Sequence, residues 1–247
     1  MTILSDPAAM ERRRAGLAAP RMRPLAGFAA SLRASTGLPV PDADPADGGA
    51  AARCLLLLET PGPAILRTGF VSCDNPAPTA ANLRRFLRDA GLPRGHLLVW
   101  NAVPFVIHAP GARNRAPRAA EIRAGLSLLP ALLALLPELR VCVLAGRAAA
   151  AAAPVLREAR PGLPLLAMPH PSPTYVCTSP DVPRRIVGAL RLAAGAAASR
   201  RGDDAPASQG DDDAAASQGD DDAAATRRVD DAAAPRNAAA SSGEAAA

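Results

Sequence analysis

Two polar side chains follow apolar runs that are typical of buried strands. Glu59 comes directly after Leu55–Leu58 and precedes Thr60-Pro61-Gly62-Pro63. His170 lies in a similar segment, Met168-Pro169-His170-Pro171-Ser172-Pro173. Proline cannot continue a strand ladder and glycine permits a close backbone approach, so we expect a tight loop after each strand. The sequence therefore predicts a carboxylate and an imidazole at strand ends, where open α/β sheets bind ligands.

Strand and helix patterns alternate around these residues. Continuous apolar runs predict strands over residues 55–58, 96–101, 139–145 and 163–168. Helical spacing of apolar residues predicts helices over 80–90, 119–136 with a kink at Pro130, and 180–198, and an alanine-rich helix that is disturbed at Pro154 is predicted over 146–159. Four such repeats indicate an α/β fold, a three-layer α/β/α sandwich around a four-stranded parallel sheet.

Four residues distant in sequence should therefore meet at one edge of that sheet. Glu59, Asn101, Gly146 and His170 each follow or close a predicted strand. Each polar residue also has a structural interpretation: a carboxylate at a strand end can cap a helix or pair with arginine, and asparagine before a loop commonly makes a turn. Only the conjunction of these residues favours a functional site over these alternatives.

Charge is unevenly distributed along the chain, and every basic residue is arginine. Residues 51–200 hold 18 arginines and 7 acidic residues, whereas residues 201–247 hold 4 arginines and 11 acidic residues. A basic body suggests a polyanionic partner such as nucleic acid. The alternative is a compositional bias that leaves the arginines merely solvated.

Composition divides the chain into three parts. Residues 1–50 are interpreted as an N-terminal extension with a short helix over Leu25–Leu32, and residues 51–198 as the α/β domain. In residues 199–247, the sequence Ser208–Ala216 recurs unchanged at 217–225. With hardly any large apolar side chains, this acidic tail is expected to be disordered. It either competes with nucleic acid for the basic body or is a low-complexity repeat without a role.

The cysteine spacing gives no sign of a metal or redox site. The cysteines at 54, 73, 142 and 177 form no C-x-x-C pair, so we expect no metal, no iron–sulfur cluster and no cofactor. No apolar run has the length of a membrane span or the pattern of a signal peptide. We therefore expect a protein of the reducing cytoplasm that is not associated with a membrane.

Four segments carry a resemblance to a known family. Glu59-Thr60-Pro61-Gly62, Gly69-Phe70-Val71-Ser72, Asn101 at a strand end and His170-Pro171-Ser172-Pro173 occur in that order. Together they resemble the uracil-DNA glycosylase superfamily over about residues 53–195, and in particular members without the iron–sulfur cysteine spacing. The chain departs from the usual pattern at Leu58, where glycine is common, and at Thr60, where alanine or aspartate is frequent.

The resemblance implies a monofunctional DNA glycosylase of base-excision repair, expected to be a monomer associated with the nucleoid. Such an enzyme flips a damaged base out of the stack and hydrolyses its N-glycosidic bond to leave an abasic site. The reaction needs a negative or water-orienting group near the sugar and donors facing the base oxygens. By resemblance, Glu59 orients water and stabilises the cationic sugar, while His170 donates a hydrogen bond to O2 of the leaving uracil.

The resemblance also implies roles in binding. Asn101 is expected to read the base edge, with backbone groups near Thr60 and Gly62 contacting base and phosphate. Phe70 is expected either to stack on the base or to be a plain core residue. The DNA-binding residues are expected to be Ser172, Thr174, Tyr175, Arg184 and Arg185, with Tyr175 as the wedge where many relatives have leucine.

Two other function classes stay open from the sequence. One is a non-catalytic superfamily member that binds nucleic acid or a protein through the same scaffold. The other is a small-molecule nucleotide enzyme, which the lack of a glycine-rich phosphate loop disfavours. The preferred base is also open: uracil is the default, with hypoxanthine and xanthine as alternatives.

Overall fold

The computed structural model describes residues 4–109, 111–112 and 114–199. The acidic repeat, for which the sequence predicts disorder, lies outside the described residues. The predicted division into an extension, an α/β domain and a tail stays a prediction. Within the described residues, no helix combines the length and hydropathy needed to cross a membrane.

Strands and helices alternate along the described chain. The strands are β1 (Asp42–Ala43), β2 (Cys54–Leu58), β3 (Phe70–Val71), β4 (Leu97–Asn101), β5 (Val141–Ala145) and β6 (Leu165–Met168). The helices are α1 (Pro7–Ala15), α2 (Arg23–Thr36), α3 (Ile65–Thr68), α4 (Pro78–Ala90), α5 (Ala119–Leu126), α6 (Leu129–Ala134), α7 (Arg147–Ala150), α8 (Ala153–Ala159), α9 (Pro173–Val176) and α10 (Asp181–Ala198).

The central sheet has the strand order β4-β2-β5-β6, and all its strands are parallel. Successive side chains on a strand point to opposite faces. Leu55, Leu56 and Leu57 of β2 are nevertheless all 0% exposed, so both faces of the sheet are covered. Helices flank the sheet, with α10 against β2, β5 and β6. The predicted α/β fold with a four-stranded parallel sheet is confirmed.

Two predicted helices are interrupted at proline. The helix predicted over 119–136 ends at Leu126 as α5, and α6 begins at Leu129 with Pro130 in its first turn. Likewise, the helix predicted over 146–159 is divided into α7 and α8, with Pro154 in the first turn of α8. Proline lacks the N–H that an interior position donates, but the first turn needs no such bond. At Pro130, where a kink within one helix is predicted, one helix therefore ends and a second begins.

The N-terminal residues contribute to the core that covers the sheet. Helix α2 extends beyond the predicted 25–32 and buries Met22, Leu25 and Leu32 in the main hydrophobic cluster. The ring of Phe28 lies 6.1 Å from that of Trp100 on β4. Strand β1 pairs in parallel with β3, which fixes the segment that follows α3.

Candidate active site

The carboxyl edge of the sheet opens into a cavity of about 550 Å³, here called the rim cavity. Its walls come from the ends of β2 and β4, the segments following β3 and β6, and the loop before α5. Eight of the residues predicted from sequence line it: Glu59, Thr60, Gly62, Asn101, His170, Ser172, Thr174 and Tyr175.

Strand register explains why these residues meet. Leu58 of β2 pairs with Asn101 of β4, and Ala145 of β5 pairs with Met168 of β6. The chain then turns immediately after each strand. The N–H of Gly146 donates to the carbonyl of Met168 at 3.0 Å, which joins the turns after β5 and β6. Residues next to the strand ends consequently share one rim.

Gly146 lies between the carboxylate and the imidazole. A methyl group added to Gly146 would lie 2.6 Å from Glu59 Oε1 and 3.1 Å from His170 Cβ. The backbone of Gly146 has φ 90° and ψ 178°, a conformation that residues with a side chain rarely adopt. Glycine at this position therefore permits both the turn and the close approach of Glu59 and His170.

The carboxylate of Glu59 is held by a backbone group of the neighbouring turn. The N–H of Ala148 donates to Glu59 Oε1 at 3.1 Å. Glu59 Oε2 has no hydrogen-bond partner among the described residues. One oxygen is therefore fixed in position while the other can accept a hydrogen bond from water or a ligand.

The imidazole of His170 is arranged as a neutral donor. Its Nδ1 accepts a hydrogen bond from the Ser172 N–H at 3.2 Å, so in the neutral ring the proton is on Nε2. Burial lowers the pKa of His170 below its ordinary value, although the negative charge of Glu59 opposes this effect. Near neutral pH, His170 can therefore donate from Nε2 without carrying a positive charge.

Asn101 presents an unsatisfied amide to the same cavity. It is the last residue of β4 and only 2% exposed. Its Nδ2 is buried and has no hydrogen-bond partner among the described residues. Asn101 also lines the cavity, so its amide is a group that could form a hydrogen bond with a ligand bound there.

The loop before α5 closes another side of the cavity, and the sequence motifs did not indicate it. Asn114 Nδ2 donates to Thr60 Oγ1 at 3.2 Å. Arg115 donates two hydrogen bonds to Glu121, at 2.8 and 2.5 Å, and lowers the pKa of that carboxyl to about 2. Only the long-range contact between Asn114 and Thr60 and the position of the loop in the fold identify it as a cavity wall, since its composition is that of an ordinary polar loop.

Three predicted site residues lie outside the rim cavity. Phe70 is 1% exposed and is not among the lining residues, whereas the adjacent Val71 is. Because neighbouring strand residues point to opposite faces, the Phe70 ring is directed away from the cavity, and the structure does not place it for stacking on a ligand. Arg184 pairs with Asp181 at 3.5 Å, and Arg185 lines a second cavity.

A buried cluster of charges supports the wall that follows β3. Arg94 donates to Asp47 at 2.7 Å, to Asp74 at 2.6 Å and to Asp44 at 2.7 Å. The hydroxyl of Ser72, which lines the cavity, donates to Asp44 through a short hydrogen bond. Burial raises the pKa of Asp47 to about 7, even though Arg94 acts in the opposite direction.

The same cluster ties the N-terminal helix to the cavity wall. Arg13 of α1 donates to Asp44 and to Asp74, the latter at 2.9 Å. Despite these carboxylates, no group of three or more His, Cys, Asp or Glu side chains in the described part of the chain could hold a metal ion. Each acid of the cluster is instead engaged by an arginine.

Comparisons with known proteins agree with this geometry. A family model described as the uracil DNA glycosylase superfamily matches residues 45–191, more than half of the chain. No curated protein matches the sequence. The matched range contains every residue that lines the rim cavity. The chain therefore belongs to the uracil DNA glycosylase superfamily, whose members are generally hydrolytic glycosylases that act on DNA.

Proposed function

We propose that the protein is a monofunctional DNA glycosylase that hydrolyses the N-glycosidic bond of a flipped-out uracil, or another deaminated base, in DNA. The observation that carries this proposal is the convergence of the Glu59 carboxylate and the neutral His170 imidazole on one cavity, on either side of Gly146. A volume of about 550 Å³ is in the range that accommodates small organic ligands.

Glu59 is suited to the sugar side of the reaction. As the glycosidic bond breaks, positive charge develops on the sugar, and a nearby carboxylate stabilises that charge. The Ala148 N–H fixes Oε1, which leaves Oε2 to orient the attacking water. The chain contains no lysine, so a lyase reaction through a lysine Schiff base is disfavoured and plain hydrolysis is proposed.

His170 is suited to the base side. The leaving uracil carries a developing negative charge on its carbonyl oxygens, and a donor aimed at O2 stabilises it. A neutral Nε2–H supplies that hydrogen bond without a proton transfer. The lowered pKa of His170 supports this role because it keeps the imidazole neutral near neutral pH.

Asn101 is suited to reading the base. Its unpartnered Nδ2 would donate to O4 of uracil, while its amide oxygen would accept from N3–H. Cytosine presents an amino group in place of O4, so the same amide orientation would bring two donors together. This preference for an imide edge is the reason for proposing uracil first and treating hypoxanthine and xanthine as alternatives.

Tyr175 is proposed as the wedge that keeps the duplex open. Its side chain is 41% exposed, and its ring lies edge-on to His170 with centroids 6.4 Å apart. An exposed aromatic ring next to the cavity entrance can replace the flipped nucleotide in the stack. Ser172 and Thr174, on the same loop, are proposed to contact the DNA backbone.

Incubation with defined oligonucleotides tests the proposal. Single- and double-stranded DNA carrying one uracil, hypoxanthine or xanthine would be treated with the protein and cleaved with alkali. We expect strand breaks at uracil with the wild type, and large losses with Glu59→Gln and His170→Ala. Glu158→Gln, which removes an exposed carboxylate of α8, is the matched control.

The outcomes separate catalysis from mere binding. Wild-type protein that binds the oligonucleotides without producing abasic sites would favour the non-catalytic binding module. Full activity in both Glu59→Gln and His170→Ala would reject the roles assigned to these residues.

A further inference from the structure

A second cavity, of about 340 Å³, adjoins the rim cavity. The two share His170 and Tyr175 as lining residues. Gly146, where an added methyl group would meet both Glu59 and His170, also lines the second cavity. The second cavity therefore begins where the proposed base-binding site ends.

The charged side chains that line this second cavity are all positive. Arg147 and Arg185 line it, and no carboxylate is among its lining residues. Much of the remaining surface is apolar, formed by Leu144, Met168 and Pro169. The polar side-chain groups that such a surface offers to a ligand are the two guanidinium groups, the shared imidazole and the Tyr175 hydroxyl.

Neither guanidinium is engaged by another residue in the part of the chain that the structure describes. Arg147 and Arg185 are exposed, and neither has an ion-pair or hydrogen-bond partner among the described residues. The adjacent Arg184, by contrast, pairs with Asp181 and lines neither cavity. Guanidinium groups match phosphate geometry and bind it bidentately.

We propose that Arg147 and Arg185 together bind a phosphodiester group of the DNA backbone next to the flipped nucleotide. This inference rests on the proposed function, because a base held in the rim cavity leaves its sugar and flanking phosphate beside the shared wall of His170 and Tyr175. The sugar lies over the apolar surface and the phosphate between the guanidinium groups. Arg184, predicted from sequence as a phosphate contact, has no part in this site.

Binding to DNA that contains a tetrahydrofuran abasic-site analogue tests the site without requiring catalysis. Affinity is measured by fluorescence anisotropy over a range of salt concentrations for the wild type, Arg147→Gln, Arg185→Gln and the double variant. Each lost phosphate contact lowers the slope of log affinity against log salt by about 0.9 on duplex DNA. Because both arginines bind one phosphate, we expect a decrease of up to about 0.9 in each single variant and no more than about 0.9 in the double variant, with none in the matched control Arg184→Gln.

A second experiment identifies which phosphate of the DNA the two arginines bind. Methylphosphonate linkages remove the charge of one flanking phosphate at a time. Neutralising the relevant linkage should weaken binding of the wild type and leave the double variant unaffected. Equal sensitivity of both proteins to every neutral linkage, or a slope decrease in Arg184→Gln as large as in Arg185→Gln, would overturn the proposal. Displacement by inorganic phosphate without any effect of the neutral linkages would indicate a free-phosphate site and also overturn it.

Failure of this site and failure of the proposed activity can be distinguished. If the expected binding pattern occurs but no uracil is released, the phosphate site stands and the glycosylase chemistry fails. If uracil is released while the arginine variants bind like the wild type, the chemistry stands and the phosphate site fails.

Discussion

Glu59 accepts a hydrogen bond from the backbone of Ala148, 89 residues away in sequence. The contact is possible because Gly146, at the start of the same turn, has no side chain to occupy the space beside Glu59 Oε1. The relative position of Glu59 and His170, the proposed catalytic pair, therefore depends on Gly146, which has no side chain.

Replacing Gly146 with alanine should impair catalysis more than it impairs folding. The new methyl group would lie 2.6 Å from Glu59 Oε1, so the carboxylate must move. A displacement of about 1 Å in a catalytic group can cost about 100-fold in rate. We expect a loss of that order in the single-turnover rate of uracil release.

Gly162→Ala is the matched control for this substitution. Gly162 has φ 82°, close to the 90° of Gly146, but has no neighbouring atom within 4 Å of the added methyl group. Both variants carry backbone strain, whereas only Gly146→Ala crowds Glu59. Similar rate losses in the two variants would show that strain, and not the position of the carboxylate, is responsible.

The activity should fall in acid as His170 becomes charged. Burial lowers the pKa of His170 below its ordinary value of about 6.5, so the neutral donor is kept until the pH is below that value. Glu59 opposes this effect, and Glu59→Gln should therefore lower the pKa of His170 further. Nuclear magnetic resonance titration of the imidazole protons measures both values.

Glu158→Gln provides the control for the titration, because it removes a carboxylate from the surface of α8. This variant should leave the pKa of His170 unchanged. A pKa of His170 above 6.5 in the wild type, or one that rises in Glu59→Gln, would contradict the proposed neutral donor.

The sheet and most of its rim could be predicted because their signals are local. Runs such as Leu55–Leu58 have no polar alternation, and only a strand covered on both faces accommodates that pattern. The polar residue after each run then marks the edge of the sheet. This reasoning alone predicts that Glu59, Asn101 and His170 lie on one edge of the sheet.

Other features depend on contacts that no local pattern encodes. Strand β3 is two residues long, too short for alternation to show that Val71 and not Phe70 lines the cavity. Arg184 and Arg185 are adjacent, and only the orientation of α10 decides which one lines the second cavity. Arg94 meets its acids across 20 to 50 residues of sequence.

Replacing Asn101 with leucine should reduce activity without a loss of stability. Its buried Nδ2 has no hydrogen-bond partner among the described residues, so the replacement breaks no hydrogen bond of Nδ2 with them. We expect the free energy of unfolding to be unchanged or higher, while the rate of uracil release falls by about 100-fold because a hydrogen bond to the base is lost. Urea denaturation and single-turnover kinetics measure the two effects.

The matched control is Asn75→Leu, in a second asparagine that is also buried and lines the cavity. Its Nδ2 donates to the Phe70 carbonyl at 2.9 Å, and its oxygen accepts from Thr68 at 2.8 Å. This replacement breaks satisfied hydrogen bonds and should lower the free energy of unfolding by about 1–3 kcal/mol. Equal destabilisation in both variants would mean that the Asn101 amide is already satisfied in the free protein.

The buried charge cluster should make stability depend on pH through Asp47. Burial raises the pKa of Asp47 to about 7 in the folded protein, compared with about 3.9 in the unfolded chain. Between these two pKa values the folded state therefore binds a proton that the unfolded chain does not bind. The stabilisation that this proton gives is complete below the pKa of Asp47 in the unfolded chain. That effect is lost as the pH rises to about 7.

The Asp47→Asn variant keeps a neutral side chain beside Arg94 at every pH. Because only the wild type loses the contribution of the bound proton, the stability of Asp47→Asn relative to the wild type should increase between about pH 4 and about pH 7 and then stay constant. Urea denaturation of both proteins gives the difference in the free energy of unfolding between Asp47→Asn and the wild type at about pH 5 and at about pH 8. Asp89→Asn, at a carboxylate that is 40% exposed and pairs with Arg88, should show no such change. A difference between Asp47→Asn and the wild type that is the same at both pH values would mean that Asp47 is ionised throughout, with Arg94 outweighing the effect of burial.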